Sequence, residues 1–186
     1  NIQIDADHLE RPGNVIIDRP PNEAMKLALA KWAKAGTRNG NHFWAQISHA
    51  GRQTQKNVNP HPKAPSAIKL DMPGGQFGEP VALTVEEIDT IVKRFVIAAV
   101  AVCEAGFTGV QIHAAHGYLI SQFLSPRSNV RTDDYGGELT NRARILLDIV
   151  TAVRAELGPA IPISFSYTHL TLPTNARVEI AVGAEA

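Results

Sequence analysis

The chain has 186 residues, with 18 basic and 18 acidic side chains and no formal net charge. That balance excludes the positive excess of a nucleic-acid binder or a polybasic membrane-surface protein. Apolar residues at 44% and charged residues at 19% give the composition of an ordinary globular domain, not of a disordered or fibrous chain. The longest apolar run, from Val96 to Cys103, is too short to cross a bilayer. The start, Asn1 to Asp5, lacks the basic flank and apolar core of a signal peptide, and its lack of Met points to a missing beginning. A single cysteine, Cys103, excludes an internal disulfide and fits a reducing cytoplasm.

In chain order, residues 2–4 read as a possible strand and 23–35 as a helix stopped by Gly36. Residues 43–48 read as a strand rich in aromatic and branched side chains. Alternation puts Phe43, Ala45 and Ile47 on one face and Trp44, Gln46 and Ser48 on the other. A loop over 52–83 follows, studded with proline and glycine, and loops of that length usually bind or cover something. Thr84-Val85-Glu86-Glu87 is a capping box, after which Ile88, Ile91, Val92, Phe95, Ala99 and Val102 recur at helical spacing as far as Gly106. Residues 109–113 read as a buried strand. Residues 140–157 read as a helix with Ile145, Leu146, Ile149, Val150 and Val153 inward, and 161–165 as the next strand.

Strand and helix therefore alternate, which implies an α/β fold of parallel strands with crossover helices. An open doubly wound sheet and a (β/α)8 barrel both remain available. A full barrel takes about 250 residues, so the barrel form here would be a partial one. In either, chemistry lies past the carboxyl ends of the strands.

Past residue 112 stands His113-Ala114-Ala115-His116-Gly117-Tyr118. Two imidazoles side by side can donate to one oxygen as negative charge develops on it, and a tyrosine beside them can supply a proton. The same residues also read as structural histidines at a helix start, or as a zinc pair lacking a third ligand. Gln46 carries both a donor and an acceptor and suits a heterocycle edge such as a flavin, or else a buried backbone contact. No G-x-G-x-x-G, P-loop or G-x-S-x-G motif is present.

Gln46-Ile47-Ser48-His49-Ala50-Gly51-Arg52, the run Gly109 to Leu119, and Gln122-Phe123-Leu124-Ser125-Pro126 closely resemble the Old Yellow Enzyme family. Arg131 to Gly137 and Asn141-Arg142-Ala143-Arg144 continue the match in order and spacing, as far as about Phe165. The resemblance implies an FMN-containing (β/α)8 TIM barrel that takes hydride from NADH or NADPH. It implies transfer from reduced flavin to the β-carbon of an activated alkene, an enone or nitroalkene: an ene-reductase. By the same resemblance, His113 and His116 match the catalytic, substrate-binding pair that holds the electron-withdrawing oxygen. Tyr118 matches the proton donor to the α-carbon, and Gln46 the glutamine on the flavin's pyrimidine edge. The His-x-x-His form is similar to the bacterial branch. Asn141 and Arg142 read as structural, a buried ion pair behind the barrel; His49 and Arg52 as organisers of the long loop; Cys103 as a small core residue. A small-molecule substrate, no nucleic-acid or membrane partner, a homo-oligomeric full-length parent and a cytoplasmic location complete the expectation.

Two departures from the family stand out. Its first barrel strand would precede Asn1, and where relatives carry a Lys or Arg beside the flavin this chain reads Ser166-Tyr167-Thr168-His169-Leu170. The expectation is a partial FMN-binding barrel over 1–165, roughly strands two to five. With it go a non-homologous tail of artefactual origin over 166–186 and an inactive fragment that does not retain FMN. A metal-dependent hydrolase using the histidine pair, needing a third ligand, and a non-catalytic flavin-binding pseudo-enzyme are the alternatives.

Overall fold

Two apolar periods decide how the chain layers: alternate residues in the strands, and every third or fourth in the helices. In the computed structural model, which describes residues 1–167, the strands are β1 (Ile2–Gln3), β2 (Val15–Ile16), β3 (Trp44–Ser48), β4 (Lys63–Ala64), β5 (Val81–Ala82), β6 (Gly109–Ala114) and β7 (Ile163–Tyr167). The helices are α1 (Glu23–Gly36), α2 (Val85–Glu104), α3 (Leu119–Leu124), α4 (Leu139–Arg142) and α5 (Arg144–Leu157), with a single 3-10 turn at Gly51–Gln53.

Five strands form one parallel sheet in the order β2-β1-β3-β6-β7. From β1 onward the strand order follows the sequence, so each crossover advances the sheet by one position, as in an arc of a (β/α)8 barrel. Register pairs Ala45 with Val110 and Ile47 with Ile112, and all four side chains are buried against Ile88, Ile91, Phe95, Ala99 and Val102 of α2. Ile145, Ile149 and Val153 of α5 close the same core. The opposite face carries Gln46, Ser48, Gln111 and His113, as the alternation requires.

The capping box forms: the Glu87 amide donates to Thr84 Oγ1 at 3.2 Å, and the Thr84 amide donates to Glu87 Oε2 at 2.9 Å. Gly158, at φ 69°, ends α5. The helix expected over 140–157 breaks at Ala143, and the strand expected over 161–165 runs two residues later. Short strand β2 and helix α3 were not legible in the sequence.

The loop over 52–83 is not featureless. Within it β4 and β5 pair in parallel, and Arg131 pins it by donating from Nη1 to the carbonyls of Pro65 at 3.0 Å and Leu83 at 2.5 Å while gripping Asp133 through Nε and Nη2. Arg142 corrects an expectation. Among the described residues it holds no ion pair; it donates to the carbonyls of Leu124 at 2.8 Å, at the end of α3, and of Gly137. Cys103 is half-buried at the rim of the core. No described helix is long and apolar enough to cross a membrane. From Thr168 on, the expected tail lies outside the described residues.

Phe95 has no exposed surface and bridges α2 to the sheet. Phe95→Ala is expected to cost about 3–5 kcal/mol, read as a lower urea midpoint; a loss under about 1 kcal/mol would contradict this packing.

Candidate functional site

The polar face of the sheet leads to the carboxyl end of β6, where the chain leaves His113-Ala114 and turns into α3. The His113 ring lies in edge contact with His116, centroids 5.2 Å apart, and with Tyr118, centroids 5.1 Å apart. The structure thus brings together the three residues expected past this strand. His113 is buried, His116 exposed and Tyr118 between them, so the cluster opens outward on the His116 side.

The turn is locally costly. His116 sits at φ 58°, the one non-glycine residue among those described in the left-handed region, and Gly117 follows at φ 75°. That conformation costs a residue with a Cβ roughly 1–2 kcal/mol. Such strain persists only where the surroundings over-determine it.

Burial, and next to it the charge of His116, hold the His113 imidazole below its ordinary range, while Glu10 pulls the other way. Ser166 Oγ stands 2.7 Å from His113 Nδ1. If the hydroxyl donates, the ring proton lies on Nε2 and is free to donate to a ligand oxygen. Burial pushes the Tyr118 phenol up, and the charge of Glu10 and a hydrogen bond to it push it further. At neutral pH the phenol keeps its proton.

Gln46 lies one step back along the same face. Its Nε2 donates to Gln111 Oε1 at 2.7 Å across a register pair. That bond engages neither the Gln46 carbonyl oxygen, an acceptor, nor the Gln111 amide nitrogen, a donor. Nearby, Gln3 Oε1 and Ser48 Oγ are buried with no partner among the described residues. Gln111 was readable by the alternation that placed Gln46, applied to β6, while Glu10 carried no signal.

Beneath the site, Asp5, His8 and His49 bring ligand-type atoms within 4.8 Å of one another. His8, which carried no readable signal in the sequence, stacks on His49 with centroids 4.5 Å apart. His49 Nδ1 accepts from the Gly51 amide at 3.0 Å and His8 Nε2 from the Lys63 amide at 2.7 Å. Each ring therefore carries its proton on the other nitrogen, facing Asp5 Oδ2 at 3.9 and 3.2 Å, and Arg94 bonds that same oxygen. A metal-bound imidazole donates from its second nitrogen. Here that nitrogen faces an amide N–H, so the donor set fits a hydrogen-bonded hub and not a cation. Burial works against the charge of Asp5, but the His8 hydrogen bond, the fields of His49 and His8 and the Asp7 amide outweigh it and hold the carboxyl well below the usual range. Burial likewise keeps His49 neutral. No third ligand joins His113 and His116 among the described residues, which is what the hydrolase alternative required.

His49 and Arg52 organise the long loop, as expected: Arg52 Nη1 donates to the Ile68 carbonyl at 2.9 Å.

An arc of parallel strands with its polar cluster past a carboxyl end defines a barrel protein whose site lies at the strand ends. Residues 25–185 match the model of the NADH:flavin oxidoreductase / NADH oxidase family, and the chain belongs to that family. It is 40% identical over 184 residues to the NADH-dependent flavin oxidoreductase nadA of Aspergillus parasiticus, covering 96% of this chain and 41% of that one. It is 42% identical over 168 residues to the NADH oxidase of Thermoanaerobacter brockii, covering 83% and 25% of the two chains. Among solved structures, morphinone reductase superposes with a TM-score of 0.77 at 30% identity, covering 89% of this chain and 47% of that one. A 2-naphthoyl-CoA reductase complex gives 0.80 at 29% identity, covering 88% and 26%. The chain thus spans less than half the length of these relatives. The family and the partial barrel expected from the sequence are both borne out.

His49 and His113 are each held below the ordinary imidazole value of 6.5. The unfolded chain therefore takes up protons first as pH falls, so the stability these rings contribute is complete above 6.5 and is lost on acidification. Each neutral ring adds a slope of up to about 1.4 kcal/mol per pH unit. Urea midpoints measured from pH 8 to 5 are expected to fall, and less steeply in His49→Gln; a flat profile would contradict the assignment.

Proposed function

We propose that the parent protein is an FMN-dependent NAD(P)H oxidoreductase that reduces alkenes conjugated to a carbonyl or nitro group. The observation that carries this reading is the contact of His113, His116 and Tyr118 at the carboxyl end of β6. Family membership supports the redox chemistry.

The residues present fit FMN. Gln46 and Gln111, bonded to each other, keep between them an acceptor and a donor, the types that a flavin's mixed pyrimidine edge takes. Gln3 and Ser48 add buried polar atoms that want partners. Bound FMN supplies a hydride, drawn from NADH or NADPH, for the β-carbon of the alkene.

The chain's own side chains do the rest. His113 and His116 donate to the carbonyl or nitro oxygen and stabilise the negative charge that develops there. A neutral His113 serves as a donor through Nε2–H. Tyr118, kept protonated by burial and Glu10, delivers its proton to the α-carbon. The buried position of His113 limits competition from water for the same oxygen. A cytoplasmic location is proposed with this reading, from the single cysteine.

In the flavin-loaded full-length parent supplied with NADPH and 2-cyclohexenone, Tyr118→Phe is expected to lower the rate of alkene reduction by about 10²–10⁴-fold. An unaltered rate would remove Tyr118 from the mechanism.

A further inference from the structure

The two strained residues of the site turn, His116 and Gly117, have something in common besides their backbone angles: each offers its carbonyl to a glutamine from elsewhere. Gln53, at the end of the 3-10 turn after β3, donates from Nε2 to the His116 carbonyl at 2.7 Å. Gln122, in α3, donates from Nε2 to the Gly117 carbonyl at 2.7 Å.

Gln122 is 1% exposed, and every polar atom of its carboxamide is used. The same Nε2 also reaches the Ala50 carbonyl at 3.1 Å, and Oε1 accepts from the Arg52 amide at 3.1 Å. The Leu119 amide donates to the His49 carbonyl at 3.0 Å, so a backbone bond closes the same seam. The β6–α3 turn is thereby sewn to the β3 loop at four places.

Glycine is required on both sides of the seam. A Cβ on Gly51, itself at φ 58°, would stand 2.3 Å from Gln122 Oε1, and one on Gly117 would stand 2.6 Å from Gln53 Nε2. Two glycines and two glutamines thus meet in one small volume, with His116 and Tyr118 on either side of Gly117.

We infer that Gln53 and Gln122 are positioning residues: they clamp the carbonyls of His116 and Gly117 and so hold the His116 and Tyr118 rings against His113. A left-handed histidine released from its carbonyl partner relaxes toward an ordinary backbone conformation, and its ring leaves the cluster. The consequence for catalysis rests on the proposed function; the clamp itself does not.

The test uses the full chain with Gln53→Met and, separately, Gln122→Met, each close in volume to glutamine and unable to donate. The first readout is nuclear magnetic resonance, which needs no flavin. Ring-to-ring Overhauser effects between His113 and His116 are expected to fall at least threefold. The His113 titration midpoint is expected to rise toward 6.5 as the His116 charge recedes. Gln53 is half-buried, so Gln53→Met keeps the fold and decides the question alone if Gln122→Met does not. Unchanged Overhauser effects and an unchanged His113 midpoint in folded Gln53→Met would overturn the clamp.

The second readout is reduction of 2-cyclohexenone by the flavin-loaded full-length parent carrying the same substitutions, where kcat is expected to fall at least tenfold. Altered ring geometry with an unaltered rate would leave the clamp standing and instead refute the roles proposed for His116 and Tyr118.

Discussion

A strand packed on helices along one face must turn every second residue to the other, and the parallel pairing of β3 with β6 applies that constraint to both strands at once. Ala45, Ile47, Val110 and Ile112 go to the helices, so Gln46, Ser48, Gln111 and His113 cannot. A slip of one residue in either strand would drive an amide or an imidazole among Phe95 and Ile88 and expose an isoleucine on the polar side. The apolar packing that stabilises the fold is therefore also what aims the chemistry. The polar row is ordered along the strand, with the paired glutamines one step before His113, which lies toward the carboxyl end of β6.

The residues beyond the strand are held by other means. No regular ladder reaches His116 and Tyr118, and the turn that carries them contains two consecutive left-handed residues. Side-chain amides supply what the ladder does not, and the loop after β3 serves as the anchor. That anchor is in turn fixed from below by His49, whose ring is oriented between the Gly51 amide and Asp5. A line of contacts thus runs from the half-buried Asp5 carboxylate, through the β3 loop, to the turn that carries His116 and Tyr118. The first link, His49 to Asp5 at 3.9 Å, is an electrostatic contact, and the links above it are hydrogen bonds.

How much of this was legible in the sequence follows from which interactions are local. Period-two alternation placed Gln46 correctly. The capping box at Thr84 gave the start of α2 to the residue, because both of its partners lie within one helical turn. The carboxyl-end rule led to His113, His116 and Tyr118. What was missed depends on partners far apart in sequence. Short strand β2 exists by its pairing with β1, and β4 and β5 pair across the loop that was read as irregular. Glu10 meets Tyr118, and Gln53 meets His116, only because the fold brings them together. Arg142 was read as half of an ion pair, but its partners are carbonyls, which leave no trace in side-chain identity.

The central claim is that the imidazoles of His113 and His116 converge on one ligand oxygen, and the most direct test is a crystal structure of the flavin-loaded full-length parent soaked with an enone. The account predicts a ring nitrogen from each histidine within about 2.7–3.2 Å of the enone oxygen, with the Tyr118 hydroxyl turned from Glu10 toward the α-carbon. An enone bound with its oxygen away from both rings, or rings pointing apart around it, would contradict the account.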